Sequence, residues 1–136
     1  MAATILIADD YADNRELLRV LLKGADYEVR EASDGAECVR MAREETPDLI
    51  LIDLSMPGLD GWEVVRILKQ DARTRELPCV AVTAHSRFES SNVLAAGFAA
   101  FLPKPFRGKE LLDLVEGLIA GKNARTKSAA PAVSQR

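Results

Sequence analysis

The sequence predicts an α/β domain with a five-stranded parallel sheet and helices on both faces. Short apolar runs rich in β-branched residues alternate with longer stretches in which apolar residues recur at helical spacing. The runs at residues 5–7 and 49–52 are apolar at every position, as expected for central strands that helices cover on both sides. Because strands and helices alternate along the chain, parallel strands joined by right-handed crossovers are favoured.

Each of the five predicted strands is followed by a predicted helix. In the first helix, Leu17, Leu18, Leu21 and Leu22 recur at the spacing of one helical face. The same spacing marks four later helices, of which the fourth is the shortest. The predicted strands lie at residues 4–8, 29–32 (the weakest signal), 49–52, 80–83 and 98–102.

Particular residues predict where helices begin and end. Asp60 followed three residues later by Glu63 is typical of a helix N-terminus, where the two side chains and backbones cap each other. Glycine often follows the last turn of a helix, and Gly24, Gly97 and Gly121 are predicted to close helices.

The end of the sheet and the end of the domain are also marked. Pro103 directly follows the fifth run, and because proline has no N–H to donate, it predicts that this strand lies at an edge. After Ala120 the composition changes to Gly, Lys, Asn, Ser, Ala and Pro. We therefore predict one domain over residues 1–121 and a flexible basic tail, or the start of a linker, over residues 122–136.

Composition limits the class of protein. The 136 residues suit one domain, and with 48% apolar residues they can bury a core. No apolar run is long enough to span a membrane, and the N-terminus does not resemble a secretory signal, so a cytoplasmic protein is expected. Cys38 and Cys79 could form a disulfide, but two buried thiols fit that compartment better.

Charge argues against direct nucleic-acid binding. The net charge is −3, and four of the 18 basic residues lie in the tail, where none of the 21 acidic residues lies. The body is therefore clearly acidic, so direct DNA binding is not expected. The tail itself is interpreted as a solvated end rather than as a contact for nucleic acid or membrane.

Polar residues that could form a site gather at one edge of the predicted sheet. Asp9 and Asp10 follow the first strand, Asp53 ends the third, Thr83 ends the fourth and Lys104 follows the fifth. Ligands of open parallel sheets bind at this edge. Clustered carboxylates repel one another unless a hard cation such as Mg²⁺ relieves them, while hydroxyl and ammonium groups suit phosphoryl oxygens. Each residue alone could be a turn, a cap or a solvated side chain, but together they predict a site.

These residues stand in motifs that resemble the receiver domain of bacterial two-component response regulators, of the single-domain chemotaxis-regulator type. The resemblance covers about residues 3–120 and implies a flavodoxin-like strand order, 2-1-3-4-5. It also implies a Lys104–Pro105 peptide bond in the cis form. The matching motifs are Ile7-Ala8-Asp9-Asp10, residues 51–61 (LIDLSMPGLDG), Val82-Thr83-Ala84 and residues 101–106 (FLPKPF).

The resemblance implies a role for each matching residue. Asp53 would accept a phosphoryl group from the phosphohistidine of a sensor kinase or a phosphotransfer protein. Mg²⁺ would be bound by Asp53, by Asp10 directly, by Asp9 largely through water, and by the backbone carbonyl of Ser55. Lys104 would pair with the phosphoryl group.

The resemblance also implies a switch. Thr83 would move toward the phosphoryl group and Phe101 would turn inward, changing the face formed by the fourth helix, fifth strand and fifth helix for a downstream protein. Many family members have tyrosine where this chain has Phe101, so a hydroxyl contact is lost here. Ser55 and His85 occupy positions that tune dephosphorylation in the family, although His85 could equally be a solvent-facing residue.

Three other readings are considered. A haloacid-dehalogenase-type phosphatase needs an acid two residues after its nucleophile, where this chain has Ser55. A flavin carrier would have its phosphate repelled by the Asp9-Asp10 turn. The serious rival is an interaction module that has the same fold and does not use phosphorylation. The chain could act alone, relay phosphoryl groups, belong to a longer protein or form a phosphorylation-dependent homodimer, and the sequence leaves these possibilities open.

Overall fold

Among the residues that the computed structural model describes, 2–84 and 90–127, five strands and five helices alternate. Every predicted strand and helix is present. The strands are β1 Thr4–Ala8, β2 Glu28–Ala32, β3 Leu49–Asp53, β4 Cys79–Thr83 and β5 Ala100–Pro103. The helices are α1 Ala12–Gly24, α2 Gly35–Glu44, α3 Gly61–Lys69, α4 Ser90–Ala95 and α5 Gly108–Lys127.

The strands form one parallel sheet in the order β2-β1-β3-β4-β5, which confirms the predicted topology. β3 lies at the centre, where its residues Leu49 to Ile52 are buried. Pro103 lies in β5 at the edge of the sheet, as predicted, where its missing N–H leaves no gap in a ladder.

Alternation along the strands divides the core between the two faces of the sheet. Ile5 and Ile7 of β1 pack with the apolar residues of α1 and α5, whereas Leu6 and Ala8 pack with those of α2, α3 and α4. Side chains of successive strand residues point to opposite faces, so a strand covered on both sides is apolar at every position. In β1, β3 and β4 polar side chains therefore occur only at the strand ends, whereas β2, at the edge of the sheet, carries Arg30 and Glu31 within the strand.

The predicted start of α3 is confirmed in detail. The N–H of Glu63 donates to Asp60 Oδ1 at 2.9 Å, and Glu63 Oε1 accepts from the N–H of Asp60 at 3.0 Å. This reciprocal pair satisfies two N–H groups that the first turn cannot pair internally. It fixes α3 directly after the loop that leaves β3.

The fifth strand begins at Ala100, two residues later than the sequence predicts. Gly97 has a φ of +111°, and the N–H of Phe98 still donates to the carbonyl of Val93, at 3.3 Å. Residues 97 and 98 therefore close α4, as the glycine predicted. The ring of Phe98 is buried and meets Trp62 edge to face, with centroids 5.9 Å apart, so Trp62 is a packing residue.

One predicted helix end is wrong. Gly121 does not close α5, because the helix continues to Lys127. A glycine inside a helix weakens it by about 1 kcal/mol without ending it. Gly24 is the last residue of α1, as predicted, although the left-handed residue that follows is Asp26, with a φ of +71°. The division between a domain at 1–121 and a tail at 122–136 stays a prediction.

Two other predictions can be checked. Cys38 and Cys79 are free and buried, and burial raises the pKa of both thiols, that of Cys79 to about 12. They are therefore inert apolar groups rather than a disulfide. Within the described ranges, no helix has the length and apolar character needed to cross a membrane.

Candidate functional site

Three carboxylates converge at the carboxyl edge of the sheet. Asp9, Asp10 and Asp53 each offer an oxygen atom, and these atoms lie within 4.8 Å of one another. Asp9 and Asp10 follow β1 directly and Asp53 ends β3, and these two strands are neighbours in the sheet. Parallel strands that are adjacent end at the same edge, and this places the two acidic segments side by side.

Asp9 is almost completely buried and is held by hydrogen bonds. It is 2% exposed, its Oδ1 accepts the N–H of Tyr11 at 2.9 Å, and the side chain of Asn14 donates a further hydrogen bond. Burial above all, and then the charge of Asp53, raise the pKa of Asp9 above its usual range, although the hydrogen bonds and Lys104 act in the opposite direction. The raised pKa of Asp9 therefore reflects its burial first and the neighbouring charge of Asp53 second.

Lys104 contributes a cation to the same edge. Its Nζ lies 3.8 Å from Asp9 Oδ2 and 3.9 Å from Asp53 Oδ2. The N–H of Lys104 donates to the carbonyl of Thr83 at 2.8 Å, and the Lys104–Pro105 peptide is cis, as the resemblance implied. The ammonium group is thus directed between two of the carboxylates rather than into solvent.

Asp53 is positioned by the loop that follows it. Its Oδ1 accepts the N–H of Ser55 at 2.9 Å, and its side chain is 12% exposed. The loop then turns back, because the N–H of Gly61 donates to the carbonyl of Leu54 at 3.3 Å. One Asp53 oxygen is held by the main chain while the other lies toward Lys104, which leaves the carboxylate fixed but reachable.

Three predicted residues remain to be placed. Thr83 is fully buried at the end of β4, which lies between Asp53 on β3 and Pro103 on β5. Phe101 is half-buried and packs against the core between the sheet and helices α2, α3 and α4. His85 lies outside the described residues.

Sequence reasoning missed two residues that contact Asp9. One is Asn14, and the other is Arg15, whose Nη1 donates to the carbonyl of Asp9 at 2.8 Å. The Nε of Arg15 also donates to Glu31 Oε1 at 3.2 Å. No sequence signal pairs Arg15 with Glu31, because the contact depends on β2 lying beside β1.

The oxygen-rich cluster fits a hard divalent cation. The three carboxylates meet within 4.8 Å, and Lys104 provides one positive charge beside two of them. Asp10 is exposed and can take part in a site that also holds water. Carboxylate oxygens and open positions are what Mg²⁺ prefers, since it keeps several of its waters.

The fold and the acidic edge define a class: a doubly wound parallel α/β domain with a carboxylate and cation cluster where its strands end. A family model described as the response regulator receiver domain matches residues 5–116. The chain therefore belongs to the response regulator receiver domain family. Members of this family are signalling switches that receive phosphoryl groups from histidine kinases, bind Mg²⁺ at the acidic site and act on downstream targets.

Two relatives of different length support this assignment. Response regulator PleD of Caulobacter vibrioides is 41% identical over 119 residues, which are 87% of this chain and 26% of PleD. The chain thus spans about a quarter of the length of PleD. The polar-differentiation response regulator DivK of Brucella ovis is 31% identical over 120 residues, which cover 88% of this chain and 98% of DivK.

Solved structures agree with the fold. A putative response regulator from Chloroflexus aurantiacus superposes with a TM-score of 0.85 at 33% identity, covering 88% of this chain and 99% of that one. The receiver domain of the sensor histidine kinase PA1611 from Pseudomonas aeruginosa has a TM-score of 0.82 at 30% identity and covers 88% and 99% of the two chains. That domain has a magnesium ion coordinated in its active site cleft.

Proposed function

We propose that Asp53 accepts a phosphoryl group from the phosphohistidine of a histidine kinase or phosphotransfer protein. The observation that carries this proposal is the meeting of Asp9, Asp10 and Asp53 within 4.8 Å, with the Lys104 ammonium between two of them. Asp9 and Asp53 each have one oxygen held by a main-chain N–H and the other beside Lys104. The carboxylate of Asp53 is the more accessible of the two, because its side chain is 12% exposed and that of Asp9 only 3%. It is therefore the best placed nucleophile.

In the transfer, an oxygen of the Asp53 carboxylate forms a bond to phosphorus as the bond from phosphorus to the imidazole nitrogen breaks. The imidazole keeps the electron pair of the broken bond, and the product is an acyl phosphate on Asp53. Lys104 stabilises a phosphoryl oxygen with its ammonium group, and the Thr83 hydroxyl donates to another after a local movement. The N–H of Ser55 keeps the carboxylate aligned throughout.

Asp9, Asp10, Asp53 and the backbone carbonyl of Ser55 would hold Mg²⁺ in this site. When bound, the ion supplies neutralisation of the charge that gathers on the phosphoryl oxygens. Asp9 is buried and held by Tyr11 and Asn14, so its part is to keep a fixed negative charge behind the site. Asp10 is exposed and can therefore adjust to the incoming ion.

The switch we propose couples Thr83 to Phe101. Thr83 ends β4 and Phe101 lies on β5, the strand paired with it, where the ring is only half-buried. Movement of Thr83 toward the phosphoryl group would free space into which the ring turns, and the face made by α4, β5 and α5 would change shape. Because phenylalanine has no hydroxyl, a downstream protein would read this change by shape alone.

Intact-mass measurement tests the phosphoacceptor. The chain is incubated with acetyl phosphate and Mg²⁺, beside an Asp53→Asn variant and an Asp113→Asn control, in which the carboxylate replaced is on α5 and pairs with Lys109. We expect one added phosphoryl group in the parent and the control, and none with EDTA or in Asp53→Asn. A folded parent that gains no mass would refute the proposal and favour an interaction module that does not use phosphorylation.

A further inference from the structure

One arginine connects the acidic edge to a neighbouring strand. The guanidinium of Arg15, on the first turn of α1, donates from Nη1 to the carbonyl of Asp9 at 2.8 Å. Its Nε donates to Glu31 Oε1, on β2, at 3.2 Å. The side chain of Arg15 is only 18% exposed, which shields both bonds from competing water.

Asp9 lies just past the last residue of β1, where the regular ladder no longer holds the chain. Its N–H donates to the carbonyl of Ala32 at 3.2 Å and extends the contact with β2 by one residue. Its carbonyl is held by Arg15, which is itself paired with Glu31 on β2. Both main-chain groups of Asp9 are thus tied to β2, one directly and one through Arg15.

We propose that Arg15 is a positioning residue for the cation site, which it serves by fixing the Asp9 main chain so that the Asp9 carboxylate faces Asp10 and Asp53. This inference rests on the proposed function, because it requires that the cluster binds Mg²⁺. Hydrogen bonds that orient the groups around a metal change its affinity by about 10- to 100-fold when they are removed. The planar guanidinium suits the task, since it donates in two directions at once.

Arg19 provides a matched control. Its Nη1 lies 2.7 Å from Glu31 Oε2, so it pairs with the same carboxylate as Arg15, while its described hydrogen bonds do not include Asp9. Replacing either arginine by methionine keeps the apolar stem and removes one positive charge beside Glu31. Only the Arg15 variant also removes the bond to the Asp9 carbonyl.

Two effects of the Arg15→Met change oppose each other. Loss of a positive charge near three carboxylates strengthens their attraction for Mg²⁺, whereas loss of the hydrogen bond lets Asp9 leave its position. Electrostatics alone therefore predicts tighter binding in both variants. Weaker binding in Arg15→Met can come only from lost positioning.

The test is isothermal titration calorimetry of Mg²⁺ into the parent, Arg15→Met and Arg19→Met, with urea unfolding of each protein to establish that it is folded. We expect the Kd to rise at least about 10-fold in Arg15→Met. In Arg19→Met we expect it to stay within about twofold of the parent or to fall, because only charge is lost. A folded Arg15→Met protein with the parental Kd, or an equal rise in both variants, would overturn the inference.

Two further proteins keep the outcomes distinct. Asp10→Asn removes a proposed ligand; if the parent itself binds no Mg²⁺ and Asp10→Asn changes nothing, the proposed function fails, and the role of Arg15 fails with it. If Arg15→Met does not fold, Arg15→Lys replaces it. Lysine keeps the charge but lacks the planar fork that holds two partners, so parental affinity in that variant would equally overturn the inference.

Discussion

Replacing Gly61 by alanine should push the start of α3 away from the strand that carries Asp53. A Cβ at this position would lie 2.7 Å from the Asp53 carbonyl oxygen, 2.9 Å from Leu54 Cα and 3.0 Å from Ile52 Cγ2. Ordinary contacts begin near 3.4 Å, so the helix and β3 must separate by about 0.7 Å. Two of the three opposing atoms belong to the main chain at the end of the central strand, which has little freedom to yield.

Overpacking of this kind costs about 1–3 kcal/mol. The gain in helix propensity from alanine is at most about 1 kcal/mol, and less at the first residue of a helix. We therefore expect Gly61→Ala to lower the free energy of unfolding by about 1–2 kcal/mol. For a domain of this size the unfolding temperature should fall by about 3–8 °C.

Urea unfolding followed by circular dichroism and Trp62 fluorescence measures the change. Gly117→Ala is the matched control, because Gly117 lies inside α5 and, apart from the adjoining helix backbone, no atom lies within 4 Å of the added Cβ. It should raise the free energy of unfolding by up to about 1 kcal/mol through helix propensity alone. A Gly61→Ala protein as stable as the parent would refute the reasoning, since the tight contact would then carry no cost.

Three further substitutions should each change the stability of the protein in a definite direction. Thr74→Val removes the buried hydroxyl that donates to the Leu68 carbonyl at 2.7 Å and should lower the free energy of unfolding by about 1 kcal/mol in urea titrations. Asp9→Asn should raise the unfolding temperature in EDTA, because it removes a buried charge from among like charges. The pKa of Glu31 is lowered, chiefly by the hydrogen bond from Arg19, so Glu31→Gln should destabilise the protein most above pH 4.5, with the loss shrinking as the pH falls below that value.

Each of these has its own check. Thr74→Ser keeps the hydroxyl and should retain most of the stability, whereas a Thr74→Val protein as stable as the parent would contradict a stabilising role of the hydrogen bond. Mg²⁺ should stabilise the parent by mass action and Asp9→Asn less, and a variant that is less stable than the parent in EDTA would contradict the repulsion argument. For Glu31→Gln, a difference from the parent that is constant from pH 7 to pH 3.5 would show that the carboxylate is not held in its charged form.

The sign of the Glu31 prediction follows from where its pKa moves. A carboxyl whose pKa is lower in the folded state binds fewer protons there than in the unfolded chain, so it stabilises the fold while both states are ionised. That contribution is complete above the unfolded value of 4.5 and is lost as the pH falls through the folded one. The Glu31 side chain is 28% exposed, so its ion pairs with Arg15 and Arg19 are partly shielded from water.

Much of the fold could be predicted because burial on two sides leaves a strong pattern. The buried stretches 5–8 of β1 and 49–52 of β3 are apolar on both faces, and the reciprocal pair of Asp60 and Glu63 indicates where α3 begins. The ends of α4 and α5 are harder to predict. Gly97 closes a helix because it adopts the left-handed conformation, with a φ of +111°, whereas Gly121 stays within α5, which continues to Lys127.

The residues of the candidate site could also be predicted in part. The sequence is enough to select five site residues, because each follows or ends a strand and the carboxyl ends of parallel strands share one edge. They are Asp9, Asp10, Asp53, Thr83 and Lys104. Their distances could not be predicted. The direction of the Lys104 ammonium and the burial of Asp9 depend on loops that pack against other elements.

By itself the sequence determined the alternating strands and helices, the order of the polar residues at the strand ends, and the motifs that belong to the receiver family. Those properties are local, because they depend on periodicity, on capping and on the chemistry of single residues. Only the tertiary structure decided that Arg15 joins Asp9 to Glu31. Arg15 lies on α1, Glu31 on β2 and Asp9 directly after β1, and the three meet only when β2 pairs with β1. A contact between residues far apart in the chain leaves no periodic signal, and the packing of the elements alone creates it.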